Sequence, residues 1–569
     1  MILKGIGASR GIAIAKVFEL KHYEIEINKK HANVDEEIKK LNDAINLAVE
    51  QIKKIKEKAA QNLDAEHAAV FDAHIQVATD PMMNDEMAQI IKDEQVNAEY
   101  AVDVVSKKYI DMFASMDDEY MKERAADIAD VSQKIIFNIL GIIKQDLTTI
   151  NEEVVIVGFD LTPSETSQLD KKFVKGFATD IGGRTSHSAI MARSLEIPAV
   201  LGLGDITKKV KSGDTIAING STGEVYINPS DEIIQSLKEQ IKKEEEHKKL
   251  LETFKNKPSI SKDGHHIEIA GNIGSPQDVP PVINANGDAV GLFRSEFLYM
   301  DSNDWPSEEE QYQAYKIVLE NMQGKKVIIR TLDIGGDKTL KYFSFPQEMN
   351  PFLGYRAIRF CLDRKDVFET QLRALIRASE FGQLGIMFPM IATVDEFKNA
   401  RNFFDQVYAD VKKQYPNVSD KIEVGMMVEI PAAAVNAENF CKYADFVSIG
   451  TNDLIQYTMA ADRMSEKVTY LYQPLNPSIL RLIKATIDGA HKQGKWAGMC
   501  GEMAGDLQAI PILLGLGLDE FSMSATSILA ARELVSRINY KDAQEIADLC
   551  LQADNEAQVI EIINKNKKW

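Results

Sequence analysis

The stretch VIIRTLDIGG, residues 327–336, decides the fold of the C-terminal half of this 569-residue chain. Its branched apolar residues predict a short buried strand, and Arg330 and Asp333 follow where the apolar residues end. Similar runs are separated mostly by helical patterns: IEIAGNIG (267–274), AVGLFRSEF (289–297), GIMFPMI (385–391), VGMMVEIPAA (424–433), FVSIGTNDL (446–454), WAGMCGEMAG (496–505) and EFSMSA (520–525). Eight strand and helix units in about 310 residues predict a (β/α)8 TIM barrel over residues 259–569.

Charged or reactive residues stand at the ends of five of these eight runs. They are Arg294, Arg330 with Asp333, Glu429, Asn452 with Asp453, and Cys500. In TIM barrels the active site lies at the carboxyl ends of the strands, where side chains from different strands meet. Scattered surface charge would not favour strand ends in this way, so we expect one active site there.

The chemistry of these groups indicates a small ligand with several negative charges. Arginine binds phosphate or carboxylate through paired hydrogen bonds, and three arginines are candidates: Arg294, Arg330 and, in AADRM, Arg463. Glu429 and Asp453 would hold a hard cation such as Mg²⁺. Cys500 leaves two interpretations open, a thiol that acts as acid or nucleophile and a small residue of the buried core. The glycines of GMCGE favour the first.

The N-terminal half contains a second stretch with predicted chemistry, GGRTSHSAIMARSLE at residues 182–196. Two glycines permit a tight turn between the strand-like KGFATD and the helix-like SAIMARSLE, which places His187 near a helix N-terminus. Free N–H groups and the helix dipole favour a phosphoryl group there, and Arg184 adds a positive charge. We interpret His187 as a nucleophile that becomes phosphorylated. A helix-terminal histidine without chemistry stays open on this motif alone.

Hydrophobic spacing divides the rest of the chain into domains. Residues 1–20 alternate as strands do, and β-rich runs return between about 154 and 228. Between them, apolar residues recur at helical spacing: Ile38, Leu41, Ile45, Ala48, Ile52 and Ile55. We predict an α/β domain from residues 1–20 and 144–230, with a helical bundle of residues 21–143 inserted into it. Residues 231–258 indicate a charged linker helix closed by Pro258, so the chain is an α/β multidomain protein.

Composition limits the class of protein. With 45% hydrophobic and 27% charged residues, the chain is neither disordered nor fibrous. A net charge of −20 disfavours nucleic acid and anionic membranes and favours a basic protein partner. Acidic residues between 117 and 127 form either a docking surface or an ordinary solvated face.

The cysteines and the opening residues indicate the compartment. Four cysteines without CxxC spacing argue against a disulfide framework and a zinc site. The apolar opening is interrupted by Lys4 and Arg10, so we expect no signal peptide. We expect a cytoplasmic protein that does not insert into membranes.

Several motifs together resemble one protein family. GGRTSHSAIMARSLEIPAV, GLFRSEFLYMD, RTLDIGGDK, GTNDLIQYTMAADR and GMCGEMAGD resemble enzyme I of the bacterial phosphoenolpyruvate:sugar phosphotransferase system. The resemblance covers essentially the whole chain, because GIGASRGIA, DDEYMKERAADI and LTPSET fit it as well.

The resemblance implies a transfer in two steps. Phosphoenolpyruvate would phosphorylate Nε2 of His187 and leave as pyruvate, while Thr166 orients the ring. The phosphoryl group would then pass to a histidine of the phosphocarrier protein HPr, docked on the helical subdomain. The barrel would bind phosphoenolpyruvate and form a homodimer.

The resemblance also implies a role for each residue of the barrel site. Arg294 and Arg330 would hold the phosphate, and Asn452, Asp453 and Arg463 would complete the phosphoenolpyruvate site. Glu429 and Asp453 would bind Mg²⁺. Cys500 would be the acid that protonates C3 of the enolate.

Three other functions remain open on the sequence. A dikinase or phosphoenolpyruvate synthase needs an ATP-binding domain, and the helical insertion lacks a Gly-rich nucleotide motif. A regulatory relative would carry a sensory domain ahead of residue 1. A docking protein without catalysis is disfavoured by the intact set of His187, Arg330, Glu429, Asp453 and Cys500.

Overall fold

The structure is a computed structural model that describes residues 1–569 except 22, 24, 63–64, 115–118, 143–144, 146, 148–149, 167–168, 184–185, 301, 337 and 464. The side chains of residues 58–62, 65–70, 114, 119–123, 126, 163–164, 187, 190, 194 and 466 also lie outside the description. The chain forms two compact units, Met1–Glu245 and Glu246–Trp569.

The first unit is organised on a sheet. Its strands, within the described residues, are β1 (Ile2–Lys4), β2 (Ile6–Ser9), β3 (Ile12–Glu19), β4 (Val154–Gly158), β5 (Val174–Thr179), β6 (Ala199–Leu201), β7 (Thr215–Asn219) and β8 (Glu224–Ile227). Their order is β1-β8-β7-β3-β4-β5-β6-β2. The strands β3 to β6 are parallel neighbours, and the remaining pairs are antiparallel. Two separate apolar clusters form around these strands. Successive residues of β4 belong alternately to one cluster and to the other, so β4 is buried along its whole length.

Helices form an insertion between β3 and β4. They are α1 (Val34–Asn62), α2 (Ala65–Ala78), α3 (Pro81–Glu94), α4 (Ala98–Ala114) and α5 (Glu119–Leu140). The stripe predicted from hydrophobic spacing lies in their core. Leu41, Ile45, Ala48 and Ile52 are buried, and Ile38 and Ile55 pack against them. The predicted α/β domain with a helical insertion is therefore confirmed.

Short helices follow the sheet strands, and a long one follows the sheet. They are α6 (Pro163–Thr166), α7 (His187–Ser194), α8 (Ile206–Lys209) and α9 (Asp231–Glu252). The helix α9 is mostly exposed, as its charged sequence predicts. It ends six residues before Pro258, where the backbone changes to turns: the Thr253 N–H donates to the Leu250 carbonyl at 3.0 Å and the Phe254 N–H to the Leu251 carbonyl at 2.9 Å.

The second unit is a closed barrel of parallel strands. Over the described part of residues 246–569, these are β9 (Glu268–Ile273), β10 (Val290–Arg294), β11 (Val327–Arg330), β12 (Leu384–Phe388), β13 (Glu423–Val428), β14 (Phe446–Ile449), β15 (Trp496–Met499) and β16 (Glu520–Met523). Each strand pairs with its sequence neighbours, and β16 closes the barrel against β9. The predicted TIM barrel is confirmed.

Helices surround the barrel. They are α10 (Val279–Asn284), α11 (Glu296–Met300), α12 (Glu308–Asn321), α13 (Ile358–Asp363), α14 (Lys365–Ala378), α15 (Val394–Gln414), α16 (Pro431–Val435), α17 (Ala437–Phe440), α18 (Thr451–Met459), α19 (Pro477–Lys492), α20 (Ile510–Leu516), α21 (Ile528–Arg537), α22 (Tyr540–Leu551) and α23 (Glu556–Asn566). A separate buried cluster takes one residue from each of β10 to β14 and one from the position directly after β15. Its members are Leu292, Ile328, Met387, Met427, Phe446 and Cys500. Among the described residues, no helix is both long enough and apolar enough to cross a membrane.

Candidate active site

A cavity of about 490 Å³ opens at the carboxyl ends of the barrel strands. Seven barrel residues that the sequence assigned to the site line this cavity: Arg294, Arg330, Glu429, Asn452, Asp453, Arg463 and Cys500. The reason is topological. Arg294 and Arg330 end β10 and β11, while Glu429 and Cys500 directly follow β13 and β15. Parallel strands deliver their last residues to one rim of the barrel. Asp333, a further strand-end residue of the sequence analysis, does not line the cavity and contacts Arg330 instead.

Arg330 is nearly buried and held by carboxylates. Its Nη2 lies 2.5 Å from Glu296 Oε1 and 3.1 Å from Asp333 Oδ2. Burial alone would lower the pKa of Arg330, but the charges of Glu296 and Asp333 raise it above its ordinary value. The guanidinium is therefore a permanent positive charge in a setting of low polarity.

A network of buried charges extends from Arg330. Lys338 Nζ lies 3.0 Å from Glu296 Oε1 and 2.7 Å from Asp333 Oδ2. Arg356 Nη2 lies 3.0 Å from Asp333 Oδ1. Despite burial, the three cations lower the pKa of Asp333 well below its usual range. Glu296, Lys338 and Arg356 were missed by the sequence analysis, although Glu296 in RSEF and Lys338 in GGDK stand beside the motifs it used.

Glu429 and Asp453 form an acidic pair on the cavity wall. Glu429 Oε1 accepts a hydrogen bond from the Met390 backbone N–H at 2.5 Å. Glu429 Oε2 and Asp453 Oδ1 are buried without a hydrogen-bond partner among the described residues. Burial and the nearby charges of Asp453 and Asp333 raise the pKa of Glu429.

A divalent cation fits this pair. It would offset the burial and the repulsion that raise the pKa of Glu429, and it would bind the carboxylate oxygens that lack hydrogen-bond partners. The described residues contain no group of three or more His, Cys, Asp or Glu side chains placed to hold a metal. Two carboxylates with further ligands from substrate and water are the arrangement typical of Mg²⁺ rather than of a closed protein cage.

Asn452 occupies the rim of the cavity on α18. Its Nδ2 donates to Glu502 Oε1 at 3.2 Å, and its Oδ1 accepts from the Tyr472 hydroxyl at 3.3 Å. Arg463 follows α18, and its backbone N–H donates to Gln456 Oε1 at 3.0 Å. Both side chains face the same space as Arg294 and Arg330.

Cys500 is buried, with 3% of its surface exposed, and still lines the cavity. Its backbone N–H donates to the Ile449 carbonyl at 3.1 Å. Burial raises the pKa of the thiol to about 11, against the opposing effect of Ser448 and Arg330. The thiol is therefore protonated at neutral pH and could give up a proton to a bound ligand.

The backbone around His187 has the predicted arrangement. Gly182 has a φ of +116°, which favours glycine, and α7 begins at His187. Ser186 is the N-cap, and its hydroxyl accepts from the Ala189 N–H at 3.3 Å. The side chain of His187 and the whole of Arg184 lie outside the described residues. The predicted anion site at this helix end therefore remains a prediction.

Thr166 is fully buried at the end of α6, which packs against α7. Its hydroxyl donates to the Thr162 carbonyl at 3.1 Å. The predicted contact between Thr166 and the His187 ring involves an undescribed side chain, and it remains a prediction.

Comparison with known proteins places this geometry in a family. The description "PEP-utilising enzyme, PEP-binding domain" matches residues 248–540, and the N-terminal and mobile domains of PEP-utilising enzymes match residues 4–124 and 150–223. The phosphoenolpyruvate-protein phosphotransferase of Mycoplasma capricolum is 54% identical over 99% of this chain and 98% of its own length. The protein of the same name in Bacillus subtilis is 53% identical over 100% of both chains. This chain belongs to the phosphoenolpyruvate-protein phosphotransferase family.

A solved structure matches part of the chain. A solution structure of the enzyme I protein nEIt is 45% identical and covers 43% of this chain and 99% of that chain, with a TM-score of 0.40. The full-length relatives, by contrast, identify the protein as a transferase.

Proposed function

We propose that this enzyme transfers the phosphoryl group of phosphoenolpyruvate to its own His187, releases pyruvate, and passes the phosphoryl group to a histidine of HPr. The observation that carries the proposal is that three arginines, an acidic pair and a protonated thiol line one and the same cavity. A small acid with a phosphate and a carboxylate group matches these charges.

The arginines bind and orient the substrate. Arg294 and Arg330 hold the phosphate, and Asn452, Asp453 and Arg463 complete the phosphoenolpyruvate site. A close ion pair is worth on the order of 4 kcal/mol at an effective dielectric constant near 20, before desolvation is subtracted. Several such pairs immobilise a small anion, which is most of what phosphoryl transfer requires.

Glu429 and Asp453 hold Mg²⁺ in this proposal. When bound, the ion would neutralise charge on the oxygens of the substrate. The protein contributes the two carboxylates, whose free oxygens are buried.

His187 is the nucleophile. An unperturbed histidine is largely neutral near pH 7, so Nε2 has a lone pair available for attack on phosphorus. The N–P bond forms as the bond between phosphorus and the bridging oxygen breaks, and the electron pair leaves with the enolate of pyruvate. The N-terminus of α7 favours the negative charge that the histidine then carries.

Cys500 completes the release of pyruvate. The enolate takes the thiol proton at C3, so a C–H bond forms, the S–H bond breaks, and the enolate oxygen becomes the ketone oxygen. The thiolate then regains a proton from water. A thiol with a pKa of about 11 is protonated before the reaction and returns readily to that state.

The remaining assignments concern partners and location. HPr docks on the helical insertion of residues 21–143, whose acidic stretch suits a basic partner; residues 117–118 of that stretch and the side chains of 119–123 and 126 lie outside the described residues. The domain of residues 1–20 and 144–230 carries the phosphohistidine, residues 231–258 link it to the barrel, and residues 259–569 form a homodimer. The enzyme works in the cytoplasm.

Labelling with radioactive phosphoenolpyruvate tests the proposed function. The intact protein should acquire an acid-labile label that depends on Mg²⁺ and is discharged by HPr. His187→Ala should abolish the stable label, while His247→Ala, on the exposed helix α9, should keep it. Acid-labile label in the His187→Ala variant would show that another residue is the nucleophile.

A further inference from the structure

A second cavity lies beside Cys500. It measures about 380 Å³ and shares Arg294, Cys500 and Glu502 with the larger cavity. Asn272, near the end of β9, lines the second cavity but not the larger one. Nothing in the proposed reaction uses Asn272, yet its Nδ2 donates to the backbone carbonyl of the residue that is proposed to be the acid.

The side-chain amide of Asn272 is fixed by three hydrogen bonds. Its Nδ2 donates to the Cys500 carbonyl at 3.0 Å and to the Ser522 carbonyl at 3.3 Å. Its Oδ1 accepts from the Ser522 hydroxyl at 2.6 Å. Because carbonyl oxygens only accept, the nitrogen end has to face the two carbonyls, and the oxygen end then accepts from the Ser522 hydroxyl.

These contacts join strands that are not neighbours. The strand β16 lies between β15 and β9 in the closed barrel. Asn272 therefore reaches across β16 to the residue that follows β15. This hydrogen bond across β16 fixes the position of the chain after β15 relative to β9, the first strand of the barrel.

Cys500 is held by its backbone on both sides. Its N–H donates to the Ile449 carbonyl at the end of β14, 3.1 Å away, and its carbonyl accepts from Asn272. At the next residue, a Cβ on Gly501 would lie 1.8 Å from Thr451 Oγ1, so the chain passes close to α18 there. With both peptide groups fixed, the direction of the Cα–Cβ bond is fixed, and so is the region that the thiol can reach.

We propose that Asn272 is a positioning residue for Cys500, which keeps the thiol in line with C3 of the enolate; this inference rests on the proposed function of Cys500. Removal of the amide donor frees the Cys500 carbonyl, and the peptide between Cys500 and Gly501 can rotate. A shift of the donor by about 1 Å is enough to cost on the order of 100-fold in rate.

Asn272→Asp tests this inference, because it keeps the shape and replaces the donor by an oxygen. We expect kcat for pyruvate formation to fall about 10- to 100-fold, with KM changed less than about 2-fold, since the substrate contacts remain. The solvent deuterium isotope effect on kcat should increase, because proton transfer becomes slower than the other steps. Phosphorylation of His187 by phosphorylated HPr should be unchanged, because it does not use the thiol.

The controls separate positioning from general damage. Asn566→Asp removes a similar amide-to-carbonyl hydrogen bond, 2.8 Å long, on α23 and should leave all rates unchanged. Ser522→Ala keeps the amide but releases its oxygen end, and it should lower kcat by a smaller factor with the same rise of the isotope effect. If Asn272→Asp does not fold, the Ser522→Ala variant decides whether Asn272 positions Cys500.

Two results would overturn the inference. One is normal kcat in both variants. The other is an equal fall of all rates, including transfer from phosphorylated HPr, with an unchanged isotope effect, which indicates loss of folded protein. Cys500→Ala distinguishes failure of the proposed function: if that variant forms pyruvate at the normal rate, Cys500 is not the acid and Asn272 has nothing to position.

Discussion

Arg330 is buried among protein groups yet can still bind a ligand. Its Nη2 contacts carboxylates, but its Nη1 faces only the Met427 sulfur, 3.5 Å away, among the described residues. Its Nε has no hydrogen-bond partner there. A sulfur is a weak acceptor, so a phosphate oxygen that replaces it gains a much stronger, charged hydrogen bond.

Arg330→Lys should therefore damage catalysis more than folding. A lysine keeps the charge but cannot contact Glu296 and a phosphate oxygen through separate arms of one planar group. We expect kcat/KM for phosphoenolpyruvate to fall about 100-fold, equivalent to ~2.7 kcal/mol of lost transition-state binding. Steady-state kinetics provide the measurement, with Arg481→Lys as the control, since this arginine of α19 does not line the cavity. Equal kinetics in the two variants would remove Arg330 from the substrate site.

Glu520 is an unusual carboxyl at the other end of the barrel. It begins β16, is 1% exposed, and neither of its carboxylate oxygens has a hydrogen-bond partner among the described residues. Burial, followed by the charge of Glu268, raises its pKa from 4.5 to about 8; Lys326 opposes the shift, while Glu423 and Asp519 add to it. The folded protein therefore binds this proton more tightly than the unfolded chain does.

This difference makes stability depend on pH. Between pH 4.5 and about 8 the unfolded chain has lost the proton and the folded chain has kept it, so stability falls as the pH rises. The contribution is at most about 1.4 kcal/mol per pH unit. In thermal unfolding, Glu520→Gln should gain stability over the wild type, with a gain that grows from pH 5 to pH 8. Glu369→Gln, an exposed substitution on α14, is the control. Parallel pH profiles for Glu520→Gln and the wild type would refute the assignment.

At the scale of elements, the sequence predicted those features of the fold that depend on a local pattern of residues. Apolar runs of strand length predicted the barrel strands, and the residue after each run predicted the rim of the site, because both depend on neighbours in sequence. The start of α7 at His187 was predictable for the same reason: two glycines and a serine cap define it locally.

Other parts of the site depend on contacts that no local pattern encodes. Arg356 meets Asp333 across a loop of more than twenty residues, and the sequence around Arg356 resembles ordinary helix flanks. Met390 has a φ of +57° and donates its N–H to Glu429. A non-glycine residue in that conformation is held by tertiary contacts, so only the folded chain reveals that its backbone contacts the acidic pair.

The cap of α7 gives a prediction at this scale. Ser186 accepts from the Ala189 N–H at 3.3 Å and donates to the Gly183 carbonyl at 2.8 Å, so it joins the glycine turn to the helix. Ser186→Ala should cost about 1 kcal/mol in local stability. The first turn, where His187 stands, should fray, and phosphorylation of His187 by phosphorylated HPr should slow about 3- to 10-fold.

Ser307→Ala is the matched control for that experiment. Ser307 caps α12 in the barrel by accepting from the Glu310 N–H at 3.2 Å, and α12 carries no site residue. Its loss should lower stability by a similar amount and leave transfer from phosphorylated HPr unchanged. Equal effects of the two variants on that rate would mean that the cap of α7 has no special role in the reaction.

At the scale of the whole molecule, the proposed nucleophile and the proposed substrate site belong to different units. His187 lies in Met1–Glu245, while every proposed ligand of phosphoenolpyruvate lies in Glu246–Trp569. The two half-reactions should therefore have separate structural requirements: phosphoenolpyruvate needs both units, and HPr needs only the first. A movement of the first unit between barrel and HPr follows from this division.

A fragment of residues 1–230 tests the division directly. It contains all strands of the first sheet and the helical insertion, each with its own apolar core, so it should fold alone. We expect it to exchange phosphoryl groups reversibly with phosphorylated HPr, because both the nucleophile and the proposed docking surface are present. It should not react with phosphoenolpyruvate, because Arg294, Arg330, Glu429 and Asp453 are absent. Circular dichroism and labelling from both donors give the readouts, and the same fragment with His187→Ala is the control. Direct labelling of the folded fragment by phosphoenolpyruvate would show that the barrel does not supply the substrate site.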